Sequence, residues 1–185
     1  MDYRDSSDES LMETTRGGSR AAFEVLIRRF STRLLTFLVR LTGRLHSAED
    51  LFQETFAAVW TRRETYKVGR AFKPWLYAIA VNKFREGVRR APELTVDVDP
   101  DHASWARGEE AGGGRELAAA TTAALARLSD RQREVLVLHL YGGLSYAQVG
   151  ECLDCGEATA RGHMFQALAV LRREMRVAES KEAAR

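Results

Sequence analysis

Residues 129–172, SDRQREVLVLHLYGGLSYAQVGECLDCGEATARGHMFQALAVLR, decide the fold. Ser129 and Gln132 stand three apart before an apolar run, and so do Ser145 and Gln148. Each pair is the signature of a helix start, in which hydroxyl and amide satisfy backbone N–H groups that lack an intrahelical partner. The first helix runs to about Leu140, where Gly142 and Gly143 end it. A short helix follows to about Leu153, then a turn at Asp154–Gly156 and a long helix to about Met175. On that last helix the 100° step turns Ala160, Met164, Ala167, Leu168, Leu171 and Met175 inward, and Thr159, Gly162, His163 and Gln166 outward. Two short helices and a tight turn, the second helix bearing polar groups, describe a helix-turn-helix whose second helix fits the DNA major groove. Arg161, His163 and Gln166 can donate there to base edges or phosphates. A helical hairpin inside a structural bundle has the same pattern.

Upstream, the pattern breaks. Residues 91–114 hold Pro92, Pro100, the Gly112–Gly114 run and six acidic groups against one basic, and read as a flexible linker. A helix marked by Leu117, Leu125 and Leu128 separates the linker from Ser129.

Before the linker lie three further helices. Phe23, Leu26, Ile27, Phe30, Leu34, Phe37, Leu38 and Leu41 form one apolar stripe over about Arg20–Leu41, with Gly43 just past its end. A second helix starts at Ser47, with Ser47 and Asp50 as a capping pair, and carries Leu51, Phe52, Thr55, Phe56, Val59 and Trp60. Residues 64–71 form a loop containing Gly69. A third helix starts near Phe72, with Pro74 in its first turn, where a missing N–H costs little. Trp75, Leu76, Ile79, Ala80, Phe84 and Val88 give its buried side, and Asn82, Arg85 and Arg89 a polar one, widened by Lys83 and Arg90.

Charge is distributed unevenly over a chain whose net charge is +2. Residues 19–90 carry fifteen basic and six acidic groups; residues 1–18 carry two and five. A basic domain between acidic tethers points to a polyanion, most simply nucleic acid. The third helix and its loop place Tyr66, Lys67, Arg70, Asn82, Arg85 and Arg89 near aromatic rings, a mixture suited to unstacked single-stranded DNA. Core spacing is the competing explanation for those rings, above all for Trp75 and Phe72.

The stretches SAEDLFQETFAAVW (47–60) and AFKPWLYAIAVNKFREGVRR (71–90) resemble region two of sigma-70 family factors, and residues 125–172 resemble region four. No region-three domain separates them, the layout of the extracytoplasmic-function (ECF) group. The resemblance implies an all-α protein of two small helical domains: a disordered acidic segment at 1–18, region two at 19–91, a flexible linker at 92–114, region four at 115–176 and a tail at 177–185. It implies a transcription-initiation factor that directs RNA polymerase core to promoters and helps melt them. Asp50, Leu51, Gln53 and Glu54 would dock on the polymerase clamp helices. Tyr66, Lys67, Arg70, Asn82, Arg85 and Arg89 would capture the unwound minus-ten element. Ser145, Thr159, Arg161, Gly162, His163, Phe165 and Gln166 would read the minus-thirty-five element while region four sits on the polymerase flap. An anti-sigma factor is a further partner the resemblance allows. Gly150 stands where the family commonly has a small apolar residue, which implies a looser first helix of the motif.

Cys152 and Cys155 form a lone C-x-x-C without the second ligand pair that zinc normally needs, and core packing is the expected role of both. His46, His102 and His139 have no acid-base or nucleophile partners in the sequence. No catalytic constellation, cofactor or metal is expected. An acidic, polar N-terminus with no secretory pattern, and no apolar run approaching the ~20 residues of a bilayer span, place the protein in the cytoplasm. A dimeric helix-turn-helix regulator and a thiol or metal enzyme are the alternative readings; polymerase co-purification and bound zinc would separate them.

Overall fold

The computed structural model describes residue 3, residues 5–90, residue 125 and residues 127–182, with side chains as far as residue 176. Among these residues the chain is helical, with no strand. The helices are α1 (Asp8–Arg16), α2 (Arg20–Thr42), α3 (Leu45–Thr61), a 3-10 turn (Arg63–Thr65), α4 (Phe72–Arg90), α5 (Asp130–Leu140), α6 (Tyr146–Leu153) and α7 (Glu157–Glu182). The linker expected at 92–114 and the start of the helix expected around Leu117 lie outside the described residues.

Helices α1–α4 form one group around an aromatic core. Leu26, Leu34, Phe37, Leu38 and Leu41 of α2 are fully buried, and Gly43 closes the helix in the left-handed conformation expected of a C-terminal glycine. Phe30 meets Phe72 edge-on at 5.3 Å, and Phe37 meets Tyr77 at 4.8 Å. Such offset pairs add about 0.5–1.5 kcal/mol beyond the area they bury.

The second group, α5–α7, has a smaller core of Val149, Leu153, Ala160, Met164 and Ala167 beneath α5. Both capping boxes form with reciprocal bonds: Ser129 with Gln132, and Ser145 with Gln148. Asp154, in left-handed conformation (φ 55°), turns the chain from α6 to α7.

Four expectations are corrected. The segment 1–18 is not disordered throughout: Ser7 caps α1, and Leu11, Met12 and Thr15 are fully buried. Of its acidic groups, half-buried Asp8 pairs with Arg29 at 2.9 Å. Helix α3 starts at Leu45 rather than at Ser47, and its N-cap, Arg44, makes no side-chain capping bond. Buried Thr42 instead accepts from the Arg44 N–H and fixes the corner, so Asp50 lies inside the helix and caps nothing. Helix α7 continues through Glu182, past the tail expected from 177. Met175, expected inward, is 49% exposed because the core beneath α7 has ended by then.

Candidate nucleic-acid interface

On α3, Thr55, Phe56 and Val59 face the core, which leaves Asp50, Gln53 and Glu54 exposed together at i, i+3 and i+4. Leu51 is half-buried beside them. His46 and Lys83 flank this acidic strip, 3.7 Å from Asp50 and 3.9 Å from Glu54. The four expected polymerase-docking residues therefore share one accessible face.

The expected strand-capturing set divides. Lys67 and Arg70 stand exposed on the loop after the 3-10 turn, with Val68 and Gly69 between them. Asn82 and Arg89 are exposed on α4. Tyr66 is corrected: its ring is 2% exposed, packed edge-on against Phe72 and Trp75, and its hydroxyl donates to the Arg70 carbonyl. It is the post on which the basic loop rests, not a surface for bases. Burial, reinforced by Glu9 and Glu13, pushes its phenol pKa up. Phe72 is fully buried as expected, whereas Trp75 is only half-buried. Trp75 lines a cleft of about 610 Å³ together with Lys67, Arg70, Gln148, Glu151 and Cys152.

Arg85 is not open to a strand in this structure. Its guanidinium grips Glu134 of α5 with two bonds, Nε to Oε1 at 2.7 Å and Nη2 to Oε2 at 2.6 Å. The bond to Glu134 raises the Arg85 pKa further, against the effect of burial. A contact between residues so distant in sequence leaves no local pattern to read.

Glu9 was missed altogether. Its Oε1 accepts from the Phe72 N–H at 3.1 Å, so a carboxylate from α1 caps the start of α4. Anions at helix N-termini satisfy unpaired N–H groups and complement the helix dipole. The available signal was Ser7 followed by Asp8 and Glu9, a cap and acidic first turn ahead of Leu11 and Met12.

Six of the seven residues expected to read the upstream element lie on α7. Thr159, Arg161, Gly162, Phe165 and Gln166 are exposed and His163 is half-buried. Arg161 is pre-oriented: Glu157 Oε1 accepts from it at 2.6 and 3.1 Å, and its guanidinium lies 4.6 Å over the Tyr146 ring. Tyr146 in turn stacks on His139 at 4.3 Å. Phe165, one turn from Arg161, is 72% exposed, and a Cβ on Gly162 would meet nothing within 4 Å. This leaves room for a close approach of DNA. Gln166 touches Gln132 at 3.4 Å. Ser145, by contrast, spends its hydroxyl oxygen capping α6.

Gly150 makes the motif tighter, not looser. A Cβ there would come within 2.6 Å of the Cys155 carbonyl, because the turn folds back onto α6 and the Cys155 N–H donates to the Gly150 carbonyl at 2.9 Å. Cys152 is buried and donates to the Pro74 carbonyl at 3.2 Å; burial pushes its thiol pKa up to about 12. Cys155 is half-buried. Among the described residues, no three His, Cys, Asp or Glu side chains gather as a metal set, and no helix is long and apolar enough to cross a membrane.

Two family profiles match the chain: Sigma-70 region 2 over residues 26–92 and Sigma-70 region 4 over residues 124–173. The ECF RNA polymerase sigma factor SigE of Mycolicibacterium smegmatis is 31% identical across 92% of this chain and 70% of its own length. The RNA polymerase sigma factor CarQ of Myxococcus xanthus is 33% identical across 82% of this chain and 89% of its own. Among solved structures, CnrH in complex with the cytosolic domain of CnrY shares the fold at TM-score 0.72 and 24% identity, over 92% of this chain and 97% of that one. RpoE in complex with the anti-sigma factor NepR from Bartonella quintana does so at TM-score 0.69 and 22% identity, over 84% and 97%.

Proposed function

The chain belongs to the sigma-70 family of RNA polymerase sigma factors, in its ECF group, and from this premise we propose a role for each exposed face. As a sigma factor it directs RNA polymerase to promoters in transcription initiation. The acidic strip Asp50, Gln53 and Glu54, with Leu51, docks on the core enzyme. Lys67, Arg70, Asn82 and Arg89 capture the melted minus-ten strand. Arg161, Phe165 and Gln166, with Thr159, Gly162 and His163, read the minus-thirty-five duplex. The factor works in the cytoplasm by binding rather than by catalysis: groups that contact only the melted strand favour the open promoter through their differential affinity. An anti-sigma factor is a fitting further partner, since the RpoE structure of similar fold is a complex with one.

The observation that carries this reading is the separation of the faces. The docking strip lies on α3, the minus-ten set on α4 and the loop before it, and the minus-thirty-five set on α7, each with its own core residues beneath it. Gln53→Ala with Glu54→Ala should lower affinity for core polymerase in a fluorescence titration while far-UV circular dichroism stays unchanged. Unchanged affinity would refute the docking face.

A further inference from the structure

Gln166 of α7 is held by a neighbour that fixes which of its two amide atoms is free. That neighbour is Gln132 in the first turn of α5, and its own orientation is set by the capping box. The Ser129 backbone N–H can only donate, and it donates to Gln132 Oε1 at 3.0 Å. Gln132 Nε2 therefore points the other way, and an amide nitrogen can only donate in turn. It donates to Gln166 Oε1 at 3.4 Å. Reversing the Gln166 amide would set NH2 against NH2. The cap of one helix thus orients a side chain on another. What stays free on Gln166 is both N–H donors of Nε2 and the second lone pair of Oε1. The residue is exposed, and one turn before it a Cβ on Gly162 would meet nothing within 4 Å. Thr159, Gly162 and Gln166 form one uncharged strip along α7, while Arg161 stands off it, tied to Glu157.

We infer that Gln132 is a positioning residue for base recognition: by orienting the Gln166 amide it makes α7 select adenine in the upstream element. The inference rests on the sigma-factor reading for its ligand, duplex DNA, and deepens it by naming a base and the residue behind the choice. In the major groove adenine presents the N7 acceptor beside the N6 donor, whereas guanine presents two acceptors, N7 and O6. An amide of fixed polarity meets the adenine edge at two points, Nε2 to N7 and N6 to Oε1. On guanine it makes one bond and sets Oε1 against O6. Cytosine offers a lone N4 donor and thymine a lone O4 acceptor, so neither pairs twice. A free glutamine could turn its amide to suit another edge; one tied to Gln132 loses a hydrogen bond in doing so.

Holoenzyme assembled from the full chain and core polymerase tests this. A promoter is selected from a pool randomised upstream of the minus-ten element, and each upstream position is then changed to the other three base pairs. One adenine should be preferred over guanine roughly tenfold, the discrimination of a good bidentate pair. At that position alone, 7-deazaadenine, which lacks N7 as an acceptor, and purine, which lacks the N6 amino group, should each bind several-fold more weakly. Gln166→Ala should level the four bases there. Gln132→Glu separates positioning from structure: glutamate serves the capping box as glutamine does, but its carboxylate has no N–H to give Gln166. Helicity and melting temperature should therefore hold while most of the adenine-over-guanine ratio is lost. The added charge weakens binding to every sequence alike, so the ratio is the readout. Guanine preferred at the Gln166-dependent position, or an adenine ratio unchanged in Gln132→Glu, overturns the inference. Holoenzyme with no upstream base preference at all overturns the sigma-factor reading of α7 along with it, and is a different result.

Discussion

The faces proposed for the minus-ten and minus-thirty-five elements are built in opposite ways. The first has an exposed basic loop standing on buried rings: Tyr66 and Phe72 are enclosed, and Lys67, Val68, Gly69 and Arg70 reach outward above them. The second is a helix surface whose side chains are held from the side, Arg161 by Glu157 and Tyr146, over a small core of alanine, methionine and leucine. In the first, aromatic residues near cations are the foundation of the site. In the second, Tyr146 steadies Arg161 from the side while the Phe165 ring itself stands exposed. Aromatic residues beside basic ones therefore do not by themselves mark a base-stacking platform; burial decides which they are.

The contrast is broken most strongly at Tyr66. Removing the ring should cost about 3–5 kcal/mol, the range for emptying a large aromatic site. Tyr66→Ala should therefore lower the first group's thermal stability and abolish minus-ten capture together, whereas Tyr66→Phe should keep most of the fold. If Tyr66→Ala keeps its melting temperature and loses only strand binding, the residue is a contact and not a post. Next in size, Gly150→Ala should destabilise the second group by about 1–3 kcal/mol, the usual cost of overpacking, because its methyl meets the Cys155 carbonyl. The measurement is urea denaturation followed alongside binding to upstream duplex. An unaltered midpoint would show that the turn can relax. The smallest effect is expected at Glu9. Glu9→Ala should cost about 1 kcal/mol, as loss of a helix cap does, and should weaken capture of a minus-ten oligonucleotide. Glu9→Gln, which keeps an accepting oxygen, should restore most of it; equal loss in both variants would deny the capping role.

Much of this was legible beforehand. The bounds of α2, α4, α5 and α6 follow from apolar spacing, glycine stops and capping pairs, because those signals are local. What escaped was non-local or ambiguous. Helix α1 was hidden by five acidic residues in the first eighteen, although Leu11 and Met12 were there to be buried. Ser47 and Asp50 had the right spacing for a cap, but apolar packing and Thr42 start the helix two residues earlier. At Gly150 the sequence showed a missing side chain but not the Cys155 carbonyl occupying its place. Arg85 showed its charge, and Glu134, 49 residues away, decides where that charge is spent.

The division of labour between the two faces is tested most directly by a pre-melted promoter. Holoenzyme carrying Asn82→Ala and holoenzyme carrying Arg161→Ala are compared on a fully duplex promoter and on the same promoter with the minus-ten region held open as a bubble. Asn82→Ala should impair opening on duplex and be partly rescued by the bubble, because unpairing no longer has to be driven by strand contacts. Arg161→Ala should lose about 1–3 kcal/mol of upstream recognition on both templates. Equal rescue of the two variants would contradict the account.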